Sequence, residues 1–197
     1  MLLTAIRPPH RSVNVEWHGS WSPRSEEQAA SVARLPMAQR LLLTTDGTVT
    51  PALATVVDEP VAVRILDQRA AALAHDDDEL GSAAGENVLE RRVLLHGARS
   101  GAPLLYGASR IVLNRLPFGA REALRSGDGA IGIVLRAHRL ETFRVPLCVG
   151  MRSACADAVA HLGSGVMCRR RYAINAGGQA LMIIDEQFPA GGFEATR

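Results

Sequence analysis

Two short segments, far apart in the sequence, each place ionisable side chains in an apolar, strand-like run. The run ALMII has the length and apolarity of a buried strand, and it ends directly at Asp185 and Glu186. The run LERRVLL contains Arg91 and Arg92, and alternation along a strand points one of these guanidinium groups inward. A buried charge is costly unless it has a partner. An arginine and a carboxylate that face one apolar cavity would suit a small anionic ligand.

Residue types alone also allow a purely structural interpretation of this pair. In that interpretation, Arg91 and Glu186 form a buried ion pair that fixes the register of the strands. Perturbed ionisable groups occur both at functional sites and in structural ion pairs, so both interpretations stay open at this point.

The composition limits which chemistry is available. All 22 basic residues are arginines, since the 197-residue chain contains no lysine. A Schiff-base lysine and a P-loop lysine are therefore excluded, and an anion must be bound by guanidinium, backbone N–H, hydroxyl or imidazole groups. The formal net charge of +2 and the aromatic content of 4% count against a nucleic-acid partner. The length fits one domain with a substantial core.

The three cysteines, Cys148, Cys155 and Cys168, show no C-x-x-C spacing and do not pair evenly. They indicate neither a zinc site nor a disulfide framework, which favours a reducing compartment. The N-terminal apolar stretch ends at Arg7, before a signal-peptide core forms, and no segment approaches the roughly 20 apolar residues that cross a bilayer. We therefore expect a cytoplasmic protein with no membrane partner.

Three further motifs have functional interpretations that we do not favour. Asp76–Asp78 resembles a metal-ligand cluster, but consecutive carboxylates point in different directions, so no metal site is predicted. Gly127, Gly129 and Gly132 match G-x-G-x-x-G, yet they do not follow a strand inside a βαβ unit. Arg169–Arg171 is basic but has no second basic stripe beside it, so we expect it to face acidic side chains or a carboxylate ligand.

The organisation of the chain follows from its turn signals and apolar spacing. Residues 1–30 are predicted to form an irregular leader, and residues 31–197 one folded domain. A helical pattern is broken near Pro36, and Thr50 is available as the N-cap of a short helix after a turn. Residues 70–86 are alanine-rich and then acidic, which predicts a helix followed by a surface loop.

Several segments are predicted as strands, and two of them form a hairpin across the turn GARSGAP. The predicted strands cover residues 60–66, 89–96, 104–113, 141–150 (with an interruption at Pro146) and 180–184. Helices are predicted in the first half and the middle of the chain. The pattern favours an α+β fold with a mostly antiparallel sheet.

The order and spacing of several motifs resemble the chorismate pyruvate-lyase family, in particular its actinobacterial branch. The resemblance runs from about Leu41 to Pro189. Its motifs are LLLTTDGTVTPAL (41–53), VRILDQ (63–68), LERRVLL (89–95), GAIGIVL and LETF near Gly132 and Thr142, and RRRYAINAGGQALMIIDEQFP (169–189). Each motif is short, but their order and spacing agree with the family.

The resemblance implies a single α+β domain, with an antiparallel sheet of about six strands flanked by helices around a buried ligand cavity. It implies a lyase that needs no cofactor and converts chorismate to 4-hydroxybenzoate and pyruvate by elimination and aromatisation. We expect chorismate as the small-molecule partner and a monomer or dimer as the assembly.

The family's functional residues carry over to particular positions of this chain. Arg91 matches the arginine that holds the ring carboxylate, and Glu186 matches the glutamate at the hydroxyl end of the ring. Glu186 would either remove the C4 proton or contact the 4-hydroxyl, and we favour the hydroxyl contact. The further residues expected to bind substrate are Val49 and Thr50 at a helix start, and Ile131 and Gly132, which with Ala130 match a flap over the ligand.

Chorismate carries two carboxylates, so a second cation is expected beside Arg91, either Arg64 or one of Arg169–Arg171. Asp185 stands where other family members have threonine, and its effect stays open.

Two other functions remain under consideration. A related fold serves as the effector domain of some transcription regulators, so the chain could be a non-catalytic protein that binds small aromatic acids. It could also be an enzyme with the lyase fold that acts on a different substrate in secondary metabolism.

Overall fold

The computed structural model describes residues 26–127 and 129–193, and it contains one six-stranded antiparallel sheet. The strands are β1 (Val61–Ala72), β2 (Asn87–Gly97), β3 (Pro103–Ile111), β4 (Phe143–Ser153), β5 (Val166–Ala176) and β6 (Gln179–Pro189). Their order across the sheet is β1-β2-β3-β6-β5-β4. The predicted fold class, an α+β domain built on an antiparallel sheet of about six strands, is confirmed.

Six α-helices and one turn of 3₁₀-helix accompany the sheet in the described residues. The α-helices are α1 (Glu26–Ala33), α2 (Met37–Thr44), α3 (Val49–Val57), α4 (Phe118–Arg125), α5 (Ile131–Ala137) and α6 (Ala156–Leu162), and the 3₁₀ turn is Leu113–Arg115. The predicted leader, residues 1–30, lies largely outside the described residues, and α1 begins within its last five positions.

Two apolar clusters lie on one face of the sheet, and the helices α1–α5 supply much of both. In one cluster, α1, α2 and α3 pack against β2, β3 and the C-terminal end of β6 around Phe188. In the other cluster, α4 and α5 pack on Ile111, Tyr172 and Met182. Burial of these side chains supplies the main stabilising free energy of the fold. The sheet surface between the two clusters is where a cavity forms.

The predicted β2–β3 hairpin is confirmed, and its register decides which side chains face the cavity. Arg91 is the antiparallel partner of Ser109, and Val93 is the partner of Gly107. Paired residues share a face, and successive residues alternate between faces. All four residues therefore lie on the face that α1–α5 cover. Arg92 points to the opposite face, where its guanidinium pairs with Asp67 and Asp157.

The helix predicted at the start of residues 70–86 is wrong. β1 continues to Ala72, paired with Asn87, and the chain then forms turns and an isolated bridge between Asp77 and Ser82. The alanines favour a helix locally, but pairing along the long β1–β2 hairpin overrides this preference. The side chains of Asp76 and Asp77 accept hydrogen bonds from the backbone N–H groups of Ala84 and Leu80. Asp76 and Asp77 therefore order a surface loop.

The last strand is also longer than predicted. β6 continues through Asp185 and Glu186 to Pro189, so the two carboxylates lie inside the strand rather than at its end. Arg169–Arg171 lies inside β5, which pairs with β6 and was not predicted as a strand. Alternation along β5 separates the three arginines, so that Arg170 faces Glu186 while Arg169 and Arg171 face Asp185.

Two smaller features complete the comparison with the predicted elements. The predicted interruption of β4 at Pro146 is only a register irregularity between Pro146 and Cys148, and the strand continues to Ser153. None of the described helices has the length and apolarity needed to span a membrane.

The three thiols are expected to react unequally with a thiol reagent. Cys168 is fully buried, and this burial raises the pKa of its thiol to about 12, whereas Cys148 and Cys155 are partly exposed. Because the thiolate is the reactive form, Ellman's reagent at pH 8 should modify at most two thiols per native chain and three after denaturation. Rapid modification of all three in the native protein would contradict the packing around Cys168.

Candidate active site

The cavity lies between the sheet and the first turns of α3 and α5. The sheet contributes residues from all six strands. The volume of the cavity is about 60 Å³. Its walls are largely apolar, with a small number of charged and polar groups. The lining residues used below are Thr48, Val49, Thr50, Arg91, Val93, Gly107, Ser109, Ala130, Ile131, Gly132, Arg144, Tyr172, Ile184 and Glu186.

The structure brings the six residues that the sequence nominated to this one cavity. Arg91 and Glu186 come from β2 and β6, the first two residues of α3 form part of the cover, and the first two residues of α5 form another part. The nominated residues are Val49, Thr50, Arg91, Ile131, Gly132 and Glu186.

Arg91 is a buried cation with unused hydrogen-bonding capacity. The residue is 2% exposed, and its Nη2 donates a hydrogen bond to the backbone oxygen of Gly129 at 2.8 Å. No described residue accepts a hydrogen bond from Nε or Nη1, although both atoms are buried. Burial lowers the pKa of the guanidinium, which nevertheless stays charged because an arginine pKa starts above 12. The arrangement suits an anionic group entering the cavity.

Glu186 is buried beside a cation and a hydroxyl group. Its Oε2 lies 2.8 Å from Nε of Arg170, and its Oε1 accepts a hydrogen bond from the Tyr172 hydroxyl at 3.2 Å. Arg170 is fixed in turn, because its Nη1 donates to the backbone oxygens of Leu42 and Thr45. Burial raises the pKa of Glu186. The charge of Arg170, the Tyr172 hydrogen bond and the charge of Arg144 oppose part of this effect.

The structural interpretation from the sequence, an ion pair between Arg91 and Glu186, is wrong. Glu186 is paired with Arg170, and β3 separates the strands that carry Arg91 and Glu186. Glu186 lies opposite Gly107, two residues along β3 from the partner of Arg91, so the two Cα atoms are about 12 Å apart from strand spacing and rise. Two inward-pointing side chains leave room for a six-membered ring in that span.

Gly107 keeps the floor of the cavity open between these two groups. A Cβ atom at this position would lie 3.2 Å from Cγ2 of Val93, closer than most Cβ contacts. The absence of a side chain therefore leaves the sheet surface between Arg91 and Glu186 available to a flat ligand.

The first turn of α3 differs in one respect from the prediction. The helix begins at Val49, so the N-cap position is Thr48, and Thr50 lies inside the first turn. The Thr48 side chain makes no capping hydrogen bond. The backbone N–H groups of a first helical turn have no partner within the helix and favour an anion. Val49 and Thr50, the first two residues of α3, line the cavity, whereas the next residue, Pro51, has no N–H group.

A glycine is required where α5 approaches α3. A Cβ atom on Gly132 would lie 2.5 Å from Cγ2 and 2.8 Å from Oγ1 of Thr48. We expect Gly132→Ala to lower the free energy of unfolding by about 1–3 kcal/mol through overpacking, although alanine is the better helix former. Thr48→Ser removes the nearer contact and should recover part of this loss in the double variant, measured by urea unfolding. Full stability of Gly132→Ala alone would contradict this packing.

Sequence reasoning missed four polar lining residues, which are Thr48, Ser109, Arg144 and Tyr172. Arg144 lies on β4 opposite Ile174, and its guanidinium carbon lies 6.0 Å from the centre of the Tyr172 ring. The alternation in ETFRVP was the available signal, but it does not say which sheet face is covered.

None of the four arginines suggested as a second cation lines the cavity, and the nearest of them, Arg170, is paired with Glu186. Arg64 is exposed on β1 and does not line the cavity. On the opposite sheet face, Arg169 pairs with Asp185, and Arg171 pairs with Glu79 and Asp185. Asp185 therefore takes part in partly buried ion pairs on the face opposite the cavity.

Comparison with known proteins identifies relatives of this sequence. It is 30% identical over 169 residues to a chorismate pyruvate-lyase of Mycobacterium leprae, covering 84% of this chain and 80% of that protein. It is 28% identical over 163 residues to a chorismate pyruvate-lyase of Mycobacterium tuberculosis H37Rv, covering 80% and 82%.

Solved structures with a similar fold have much lower sequence identity. PhnF from Mycobacterium smegmatis has a TM-score of 0.56 and 15% identity, covering 73% of this chain and 64% of that one. A GntR-family transcriptional regulator from Enterococcus faecalis has a TM-score of 0.52 and 12% identity, covering 68% and 96%. At these identities, the likeness concerns the fold alone.

The model of one protein family matches residues 43–196, which is most of the chain and includes the six nominated site residues. The family is described as chorismate pyruvate-lyase, Rv2949c-like. The match begins at the end of α2 and extends past β6, so it contains the whole sheet. The chain therefore belongs to the Rv2949c-like chorismate pyruvate-lyase family.

Proposed function

We propose that this protein is a lyase that converts chorismate to 4-hydroxybenzoate and pyruvate. The observation that carries the proposal is the buried Arg91 guanidinium, whose Nε and Nη1 have no partner among the described residues of an otherwise largely apolar cavity. A buried cation without a counter-charge is unfavourable in the free protein, and an anionic ligand would compensate it. The names of the mycobacterial relatives support chorismate as that ligand.

In this proposal, Arg91 binds the ring carboxylate through its free N–H groups. The first turn of α3 adds backbone N–H groups from the cover of the cavity. Val49 and Ile131 pack on the ring, and Gly132 allows α5 to come close to Thr48. The ring is thereby oriented with its hydroxyl-bearing end toward Glu186 on β6.

For this reaction, the protein must orient the substrate and supply one proton acceptor. The C3–O bond of chorismate breaks with its electron pair on the enolpyruvyl oxygen, and the C4–H pair forms the ring double bond. A base takes the C4 proton, and the enolpyruvate gains a proton on carbon to give pyruvate. Aromatisation drives the elimination, and no net oxidation occurs, so a redox cofactor has no part in it. Positioning accounts for much of the rate in such a reaction.

Glu186 acts in its ionised form at the hydroxyl end of the ring. Its Oε2 forms an ion pair with Arg170 and its Oε1 accepts a hydrogen bond from Tyr172, and both contacts favour the ionised carboxylate. It accepts a hydrogen bond from the 4-hydroxyl and is the nearest candidate for the C4 proton. The elevated pKa of Glu186 makes it a stronger base than an exposed carboxylate. We place the reaction in the cytoplasm, where three unpaired thiols stay reduced.

The proposal is tested by incubating the purified protein with chorismate, without added metal or cofactor. The release of 4-hydroxybenzoate and pyruvate is followed by chromatography against a protein-free control, because chorismate also decays slowly on its own. We expect equimolar release of both products at a rate proportional to protein concentration. A rate equal to the protein-free control would overturn the proposed activity.

A second candidate is a non-catalytic protein that binds small aromatic acids. The observation in its favour is the fold shared with a transcriptional regulator of the GntR family. Tight binding of 4-hydroxybenzoate without turnover of chorismate would identify this function. If neither binding nor turnover occurs, the lyase fold serves a different substrate.

A further inference from the structure

A second guanidinium, that of Arg144, faces the same cavity, and none of the described carboxylates forms a direct ion pair with it. Nη1 of Arg144 donates to the backbone oxygen of Asp46 at 3.0 Å, and Nη2 donates to Oγ1 of Thr48 at 3.4 Å. Its Nε is buried, and no described residue accepts a hydrogen bond from it. The N–H groups of Arg144 that are bonded donate to neutral oxygens, and its charge acts on the nearby Glu186 carboxylate, whose pKa it lowers, without a direct ion pair. The guanidinium can therefore still bind an anion that enters the cavity.

The position of Arg144 is close to Glu186 rather than to Arg91. Its guanidinium lies over the ring of Tyr172, and the hydroxyl of the same tyrosine donates to Glu186. Arg144 extends from β4 at one edge of the sheet, whereas Arg91 extends from β2 near the other edge. The two cations thus approach a bound ring from different sides.

The other arginine beside the cavity, Arg170, already has its charged and hydrogen-bonding partners. Arg170 faces Glu186 and is hydrogen-bonded to two backbone oxygens. Arg91 and Arg144 are the described arginines that line the cavity, and neither forms a direct ion pair with a described carboxylate. The cavity therefore offers two positive charges to a ligand, placed at separate points.

We propose that Arg144 binds the carboxylate of the enolpyruvyl side chain and thereby selects a dianion over a monoanion. The proposal rests on the lyase function proposed above. In chorismate, the enolpyruvyl ether is on C3, next to the C4 that carries the hydroxyl, so its carboxylate lies on the Glu186 side of the ring. The leaving group takes the electron pair of the C3–O bond, and a guanidinium beside it stabilises this charge. The product 4-hydroxybenzoate has one carboxylate and needs Arg91 alone.

A merely structural role for Arg144 makes a different prediction. Through Asp46 and Thr48, this arginine also joins β4 to the start of α3. If that were its whole contribution, its loss would disturb the cover and weaken every ligand alike. The two roles are therefore separated by comparing a dianionic ligand with a monoanionic one.

The test measures the KM for chorismate and the inhibition constant of 4-hydroxybenzoate in the wild-type protein, Arg144→Gln, Arg144→Lys and Arg91→Gln. We expect Arg144→Gln to raise the KM by about 10- to 100-fold, the effect of one hydrogen bond to a charged group. Its inhibition constant for 4-hydroxybenzoate should stay within about threefold of the wild-type value, while Arg91→Gln weakens both ligands. Arg144→Lys should recover part of the loss, because it keeps the charge.

Equal weakening of chorismate and 4-hydroxybenzoate in Arg144→Gln would overturn the proposal, as would an unchanged KM. The wild-type rate tests the lyase function separately. If the wild-type protein binds chorismate without turnover, the lyase function fails, and the same comparison is made with dissociation constants from calorimetry. If the wild-type protein does not bind chorismate at all, both proposals are overturned.

Discussion

Replacing Arg91 with glutamine is expected to lower kcat/KM for chorismate by about three orders of magnitude, because the carboxylate of the substrate loses its buried charged partner. The loss should appear in binding as well as in turnover, since both chorismate and 4-hydroxybenzoate carry the ring carboxylate. Initial rates with chorismate and titration with 4-hydroxybenzoate measure the two effects.

The same substitution is expected to leave the melting temperature of the free protein at or above the wild-type value. Burial lowers the pKa of Arg91, which means that the folded protein disfavours the charged form of this side chain. A neutral amide removes that cost and can still donate to the backbone oxygen of Gly129. A ligand that binds only the folded state raises the melting temperature by mass action. We therefore expect 4-hydroxybenzoate to stabilise the wild-type protein and not Arg91→Gln.

Arg64→Gln is the matched control for Arg91→Gln. Arg64 is an exposed arginine on the neighbouring strand β1, and it lies outside the cavity lining. Its replacement should change neither the rate nor the response to 4-hydroxybenzoate. A large loss of stability in Arg91→Gln, with ligand binding retained, would mean that Arg91 holds the fold together rather than the substrate.

The β2–β3 hairpin could be predicted from sequence because its signals are local. The apolar alternation of both strands and the glycine-containing turn between them lie within 25 consecutive residues (87–111), and long-range pairing agrees with them. The same alternation predicts that one of Arg91 and Arg92 points inward, and the family resemblance selected Arg91. Residues 70–86 behave differently, because alanine-rich sequence favours a helix while the pairing of Ala72 with Asn87 is decided across the loop.

The partner of Glu186 could not be predicted, because it depends on how β5 and β6 pair. Three consecutive arginines look equivalent in the sequence, and only the register places Arg170 opposite Glu186 and its neighbours on the other face. Arg144 was missed for the same reason. Its strand is an edge strand whose inward face is defined by pairing with β5. Residue types thus nominate charged groups, and the sheet register decides which of them meet.

Replacing Glu186 with glutamine is expected to lower kcat by about 10²- to 10⁴-fold, the usual contribution of a positioned proton acceptor. The amide keeps the size of the side chain and can still accept a hydrogen bond from Tyr172, but it cannot take a proton at neutral pH. Part of the effect will appear as lower stability, because Arg170 is fully buried and loses its ion pair. Unfolding in urea, measured beside the rates, separates the two contributions.

Asp185→Asn is the matched control for this substitution. Asp185 is the adjacent carboxylate on the same strand, and it pairs with Arg169 on the opposite face of the sheet. Its replacement removes one carboxylate without changing the cavity lining. We therefore expect kcat to stay within about threefold of the wild-type value, because Asp185 contacts the opposite face and not the bound ring. A loss as large as that of Glu186→Gln would show that removing either carboxylate harms the strand.

The pH profile distinguishes an ionised Glu186 from a neutral one. Burial raises the pKa of Glu186 above its ordinary value of about 4.3, so the acid is protonated over a wider pH range in the folded protein. If the ionised form is required, kcat/KM falls as the pH drops through this raised pKa, and Glu186→Gln lacks that dependence. Stability changes in the opposite sense. Because the folded state binds more protons between the two pKa values, the free energy of unfolding declines as the pH rises through that interval. Activity that instead decreases as the pH rises through the same interval would mean that Glu186 works as a neutral acid.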